Sequence, residues 1–320
     1  MIAMKPIDVI TLGIAVIDIV ARPADRTLFD RANTRIEDIT LATGGDAANQ
    51  AADLAKLGRR TALVCRVGDD SMGRLLLSEM AGTGADISYV AVSPESVTAT
   101  AIVLVSQDGQ RNIISKRGSN DDFCLADIDL TLIPQAQALS VGSLFGCAKL
   151  EEDGLETVLK QAKQSGVATF ADMAADKKGL RLKGIAPFLP YIDWFLPSDY
   201  DSTHLTDGLE VADAAKAFMD AGAKNVVIKL GRRGAYACCE GFTGYVPAFD
   251  IEAKDTTGSG DAFCAGMIHS LLGGNNAEEA LTFACACGAF NALYFGAACA
   301  PINPEAIRRF IETTNRSSLR

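Results

Sequence analysis

Apolar runs of strand length alternate along most of this chain with amphipathic stretches of helix length, the pattern of a largely parallel sheet with helices on both faces. Residues 7–16 open as a strand, and residues 45–57 read as a helix closed by Gly58. A strand over 61–67 and a helix over 71–80, with Ser71 as its N-cap, come next. Further strands are predicted at 139–143, 167–172, 193–196 and 226–230, with helices near 151–165 and 209–221 between them. The last third is helical, over 258–272, 277–294 and 304–313. Two segments break the alternation: residues 19–41 are mixed and polar, and residues 98–116 read as two strands joined at Asp108-Gly109, a dipeptide favoured in hairpin turns.

No internal repeat, low-complexity tract or long linker interrupts the pattern, so residues 1–320 read as one α/β domain. With 48% hydrophobic and 7% aromatic residues the chain can bury a sizeable core. Residues 283–300 carry no charge, but Ala and Cys dominate them, Gly288, Asn291 and Gly296 interrupt them, and Pro301 ends them. Such a run is a buried helix and the turn after it rather than a membrane span. No N-terminal stretch has the layout of a signal peptide. A net charge of −10 argues against nucleic acid or an anionic membrane as partner. Nine cysteines without a Cys-x-x-Cys and only two histidines suggest neither a disulfide framework nor a zinc site. They read as small core residues in a protein of the reducing cytoplasm.

The chemistry concentrates in Asp255-Thr256-Thr257-Gly258-Ser259-Gly260-Asp261-Ala262-Phe263. A glycine-rich turn running into a helix start points several backbone N–H groups at one spot and suits a phosphoryl group. Gly258, Ser259 and Gly260 would form this anion hole, and Asp261 is placed to take the proton of an attacking hydroxyl. Read by itself, Asp261 is equally a first-turn acid that stabilises a helix, and a helix N-terminus makes such a carboxylate less basic.

This stretch resembles the C-terminal motif of the ribokinase-like (PfkB-type) carbohydrate kinases. About two hundred residues earlier, Gly44-Gly45-Asp46-Ala47-Ala48-Asn49-Gln50-Ala51-Ala52 resembles their N-terminal glycine-pair motif. Val67-Gly68-Asp69-Asp70-Ser71-Met72-Gly73 and Val227-Ile228-Lys229-Leu230-Gly231-Arg232-Arg233-Gly234 also match, so the likeness spans almost the whole chain. It implies a ribokinase-like three-layer sandwich with a mostly parallel central sheet, and a small β-sheet lid built from segments 19–41 and 98–117. It implies an ATP-dependent kinase that moves the γ-phosphate of ATP to a hydroxyl of a monosaccharide or sugar acid, with Asp261 as base.

The resemblance also distributes roles. Asp18, at the end of the first strand, would accept bonds from two sugar hydroxyls, with Gly44, Gly45 and Asn49 beside it. Lys229, Gly231 and Gly234 would lie near the triphosphate and Cys285 near adenine; no Walker motif or dinucleotide fingerprint competes with that assignment. Asp255 matches a carboxylate that helps hold a monovalent cation, K+, and Thr257, Asn291, Tyr294 and Gly296 fall on the other positions, where the ligands are largely backbone carbonyls. The family usually has Asn-x-x-Glu near its Mg2+ and phosphates; here Ser198 and Asp201 stand instead, with shorter reach that a water could fill. A homodimer through the lid strands is implied as well. Only Phe29 is aromatic in 19–41 and none is in 98–116, which favours a sugar over the nucleoside of related kinases. Arg111, Lys116 and Arg117 face only Asp108 nearby in sequence, and would read a carboxylate or phosphate on the sugar. A sugar-sensing protein with degraded chemistry is the reading that the Ser198 and Asp201 departure leaves open.

Overall fold

Eight strands form the central sheet of the computed structural model, in the order Phe242–Val246, Ala235–Cys239, Asn225–Lys229, Trp194–Phe195, Ala168–Met173, Ala136–Leu144, Ile7–Leu12 and Thr61–Val64. Ala235–Cys239 runs antiparallel to both its neighbours, and every other pairing is parallel. The structure describes residues 5–107 and 111–317, so the turn expected at Asp108-Gly109 lies outside the described residues.

Successive strand residues point to opposite faces. Ile10, Leu139 and Val226 pack on one side with the helices Leu155–Gln164 and Val211–Asp220, while Val9, Ala138 and Val227 pack on the other with Ser259–Leu272 and Ala277–Asn291. Burial on both faces is why these strands are almost continuously apolar. The uncharged run 283–300 is explained in the same way: its helix ends at Asn291 and lies against Ser259–Leu272, where a Cβ on Gly266 would stand 2.8 Å from Cys287 Sγ. Among the described residues no helix is long and apolar enough to cross a membrane.

A second, four-stranded sheet has the order Asp38–Gly44, Val16–Arg22, Thr100–Val105, Arg111–Lys116. It is the expected lid, with one correction. Residues 7–16 are not one strand: the first strand stops at Leu12, Gly13 takes a φ of 144° that favours glycine, and the chain re-enters as a lid strand at Val16. Asp18 therefore belongs to the lid and not to the end of the first strand.

Other departures have local causes. Residues 61–67 divide between Thr61–Val64 in the central sheet and Arg66–Gly68, which pairs with Ala91–Ser93. Asp70, not Ser71, caps the helix Ser71–Gly82, accepting a bond from Gly73 N at 2.8 Å. The helix expected at 151–165 is two, Ala148–Asp153 and Leu155–Gln164, parted at Gly154, where a Cβ would stand 2.7 Å from Leu125 Cβ. The antiparallel strand Ala235–Cys239 and the edge strand Phe242–Val246 beside it are an addition to the expected elements. The final helix, Pro304–Thr313, has the expected bounds.

Candidate active site

In an open α/β sheet ligands bind beyond the carboxyl ends of the strands. Ser143, Asp172 and Lys229 stand at three such ends, and Lys229 Nζ meets Asp172 Oδ2 at 2.5 Å. Two helices begin over the same edge. Asp46–Lys56 starts after Gly45, whose φ of 90° favours glycine and whose Cβ would lie 2.7 Å from Ile14 O. Ser259–Leu272 starts after Gly258, at φ 70°, where a Cβ would overlap Ala297 O.

Asn49 from the first helix donates its Nδ2 to Asp261 Oδ2 in the second, at 2.8 Å. The two glycine motifs, far apart in sequence, thus share one buried hydrogen bond, with Asn49 4% and Asp261 7% exposed. A family profile described as pfkB family carbohydrate kinase matches residues 7–303. The chain belongs to that family. It is accordingly a carbohydrate kinase, a phosphotransferase with an alcohol acceptor, on a ribokinase-like fold. It is 28% identical over 274 residues to the ribokinase of Haemophilus influenzae, covering 82% of this chain and 84% of that one. It is 31% identical over 268 residues to an ATP-dependent ribose-1-phosphate kinase of Halopiger xanaduensis, covering 84% of this chain and 86% of the relative. Among solved structures it superposes on Arabidopsis thaliana ribokinase complexed with ribose and ATP with a TM-score of 0.81, 25% identity, and coverage of 96% and 99% of the two chains.

The electrostatics of this kinase differ from the sequence expectation at Asp261. Its carboxyl is more basic, not less: burial first, and then the nearby Asp46 and Asp172, raise its pKa well above the ordinary carboxylate range. Asp46, which accepts a bond from the Ser143 hydroxyl, is pushed up to about 7 by burial and by Asp172. Burial works against the Lys229 ammonium, but Asp172 and its neighbours raise its pKa nonetheless.

The residues expected on the sugar side come together. Asp18 lies against the start of the glycine pair, where a Cβ on Gly44 would be 2.3 Å from Asp18 Oδ2, and burial lifts its pKa to about 6. On the other side Lys229 Nζ lies 3.4 Å from where a Cβ of Gly260 would be, so the ammonium faces the turn expected to form the anion hole. Gly231 and Gly234 bracket a tight turn, and a Cβ on Gly234 would overlap Val246 O. Ser198 and Asp201 form a capping box on the helix Asp199–Leu205, with Ser198 Oγ donating to Asp201 Oδ2 at 2.5 Å. Asp201 still feels Asp172 and Lys229, its pKa raised chiefly by burial. Cys285 is packed in the apolar layer with Ala284 and Ala286, its thiol pushed to about 12 by burial, and does not join the polar group around Asp261.

The residues assigned to a monovalent cation also meet, but they bond to one another. Asp255 Oδ1 accepts from Thr257 N at 2.9 Å and from Thr257 Oγ1 at 2.6 Å, and Oδ2 accepts from Gly296 N at 3.0 Å. Asn291 Nδ2 donates to Thr257 O at 2.8 Å, and Tyr294 turns its ring to Phe290. Arg111 crosses from the lid to pair with Asp255 at 2.7 Å and to donate to Thr257 Oγ1. Burial alone would raise the Asp255 carboxyl; the bonds from Thr257 and Gly296 and the Arg111 charge outweigh it and hold it below its ordinary value. The Asp255 carboxylate is therefore not free for a K+ ion, although Asn291 Oδ1 lies buried without a partner among the described residues. Nor is Arg111 free to read an acidic sugar, as its sequence neighbours had suggested, while Arg117 donates to Asp121 and to Gly146 O.

Three participants escaped the sequence reading: Asp46, Ser143 and Asp172. Asp172 carried the one available signal, an acid at the end of an apolar strand run. Arg111 gave none, since its partner lies 144 residues away.

Proposed function

We propose that this kinase transfers the γ-phosphate of ATP to a hydroxyl of a monosaccharide, with Asp261 as base and Gly258, Ser259 and Gly260 as the anion hole. The bond between Asn49 and Asp261 carries the reading, because it puts the sugar loop and the phosphate loop at one spot. Asp18, Gly44, Gly45 and Asn49 hold the acceptor. Asp261, made more basic by burial, takes the hydroxyl proton late in a loose transition state. Lys229, held in place by Asp172, places a positive charge beside the migrating phosphoryl group. Lys229, Gly231 and Gly234 bind the triphosphate.

Magnesium bound with ATP would neutralise charge on the β and γ oxygens. Asp201 would hold it through water, since its Oδ2 is engaged by Ser198 and among the described residues no three His, Cys, Asp or Glu side chains gather into a metal cluster. Four acids, Asp18, Asp46, Asp172 and Asp261, against one Lys229 favour a neutral sugar over a sugar acid. Phe29, 85% exposed, offers a nucleoside base no enclosed stacking surface. The kinase dimerises through its lid, where Leu41, Ile19, Ile102 and Ile114 pair across all four strands to form an apolar row. Its nine free cysteines suit the reducing cytoplasm.

An ADP-release assay over neutral monosaccharides, sugar acids, sugar phosphates and nucleosides tests the reading. Turnover is expected with a neutral monosaccharide. Turnover confined to nucleosides would overturn it in favour of a nucleoside kinase, and ATP binding with no turnover on any member would point to a sensor.

A further inference from the structure

The segment behind the anion hole is held by two fixed cationic side chains. Gly258 packs directly on Ala297, so the 296–300 loop backs the phosphate turn. Lys56 Nζ, at the end of the helix that carries Asn49, donates to Ala298 O and to Ala300 O and pairs with the fully buried Asp53 at 3.4 Å. From the opposite side Arg111 reaches Asp255, whose second oxygen accepts from Gly296 N. Arg111 is on the same face of the lid as Asp18, as the strand registers require. A carboxylate this close to an anion hole repels a phosphoryl group unless its charge is balanced, and screening is weak at a half-buried site.

We infer that Arg111 supplies, from the lid, the positive charge at Asp255 that a bound monovalent ion would otherwise supply, with Lys56 fixing the far side of the same loop, so that turnover does not depend on K+. Arg111 is thus a positioning residue: it acts on the Asp255–Gly258 turn, not on the reacting atoms. The inference rests on the kinase reading of that turn, and its test includes an arm that needs no turnover.

The purified full-length protein is assayed in KCl, NaCl and choline chloride at equal ionic strength, and its thermal midpoint without substrates is measured in the same salts. Wild-type rates are expected to agree within about twofold across the three, with no midpoint shift specific to K+. Arg111→Gln is expected to lose ~10-fold or more of its turnover in choline, to recover much of it in K+, and to gain a K+-dependent rise in midpoint by mass action. Arg111→Lys keeps the charge and is expected to stay insensitive. Activation of the wild type about tenfold by K+ over choline would overturn the inference, as would an Arg111→Gln variant whose rate and midpoint ignore K+, or an Arg111→Lys variant that responds as Arg111→Gln does. The wild-type salt series and Arg111→Lys decide the matter if Arg111→Gln does not fold. A chain that turned over no sugar would still report through its midpoints, which separates failure of this inference from failure of the kinase reading.

Discussion

Asp261 concentrates two opposed demands in one side chain. Burial and two neighbouring acids make it a stronger base, and the same surroundings make its charge costly. Asp261→Asn keeps a polar group of the same shape beside Asn49 and removes a buried charge. We expect turnover to fall roughly a thousandfold, measured by ADP release, with a urea midpoint no lower than that of the wild type. Asp18 gives a cleaner pH signature. Its folded pKa of about 6 is raised from 3.8, so between those values the folded state binds more protons than the unfolded one. Stability must then fall as pH rises through that window. Asp18→Asn should remove this contribution: its stability relative to wild type is expected to grow from about pH 4 to about pH 6 and then level, read by urea unfolding in matched buffers.

Among the elements, the helix Ser71–Gly82 shows how a cap can serve a helix and a sheet at once. Asp70 caps it through Gly73 N and also accepts from Thr98 N and Thr98 Oγ1, both at 2.8 Å, just before the lid strand Thr100–Val105. Asp70→Ala should cost about 1–2 kcal/mol, more than a plain cap because buried donors lose their partner. Amide exchange should quicken in Thr100–Val105 as well as in the helix, whereas an unchanged lid would show that the cap acts alone. Elements of this kind divide by how far their cause is legible locally. Pro304–Thr313 has its expected bounds because Asn303 caps it and proline opens it, both signals carried by adjacent residues. The division at Gly154 answers to Leu125, distant in sequence, and the exit at Gly13 to a φ of 144° that the apolar run around it does not announce. The same holds in the site. The glycine turns and Asp261 could be read from the chain because backbone geometry demands glycine there, but Asp46 and Asp172 earn their roles only from one another. Arg111 and Asp255 could be assigned only after folding brought the lid over the loop.

For the whole molecule, the lid has two unlike faces. One carries Asp18 and Arg111 and faces the site, while the other presents the row Leu41, Ile19, Ile102 and Ile114, with Leu41 55%, Ile102 40% and Ile114 56% exposed. An apolar row across an exposed sheet seeks cover. Sedimentation at micromolar concentration is expected to show a dimer for the wild type and a monomer for Ile114→Lys, with the far-UV spectrum unchanged; a monomeric wild type would remove the lid-paired dimer.

The break at Gly13 has a further result. It puts Asp18 on the lid and leaves Asp261 on the body, so under the proposed reading a single acceptor would touch two separately built pieces of the molecule. Sugar binding would then tie the small sheet to the large one through the routing of the chain alone.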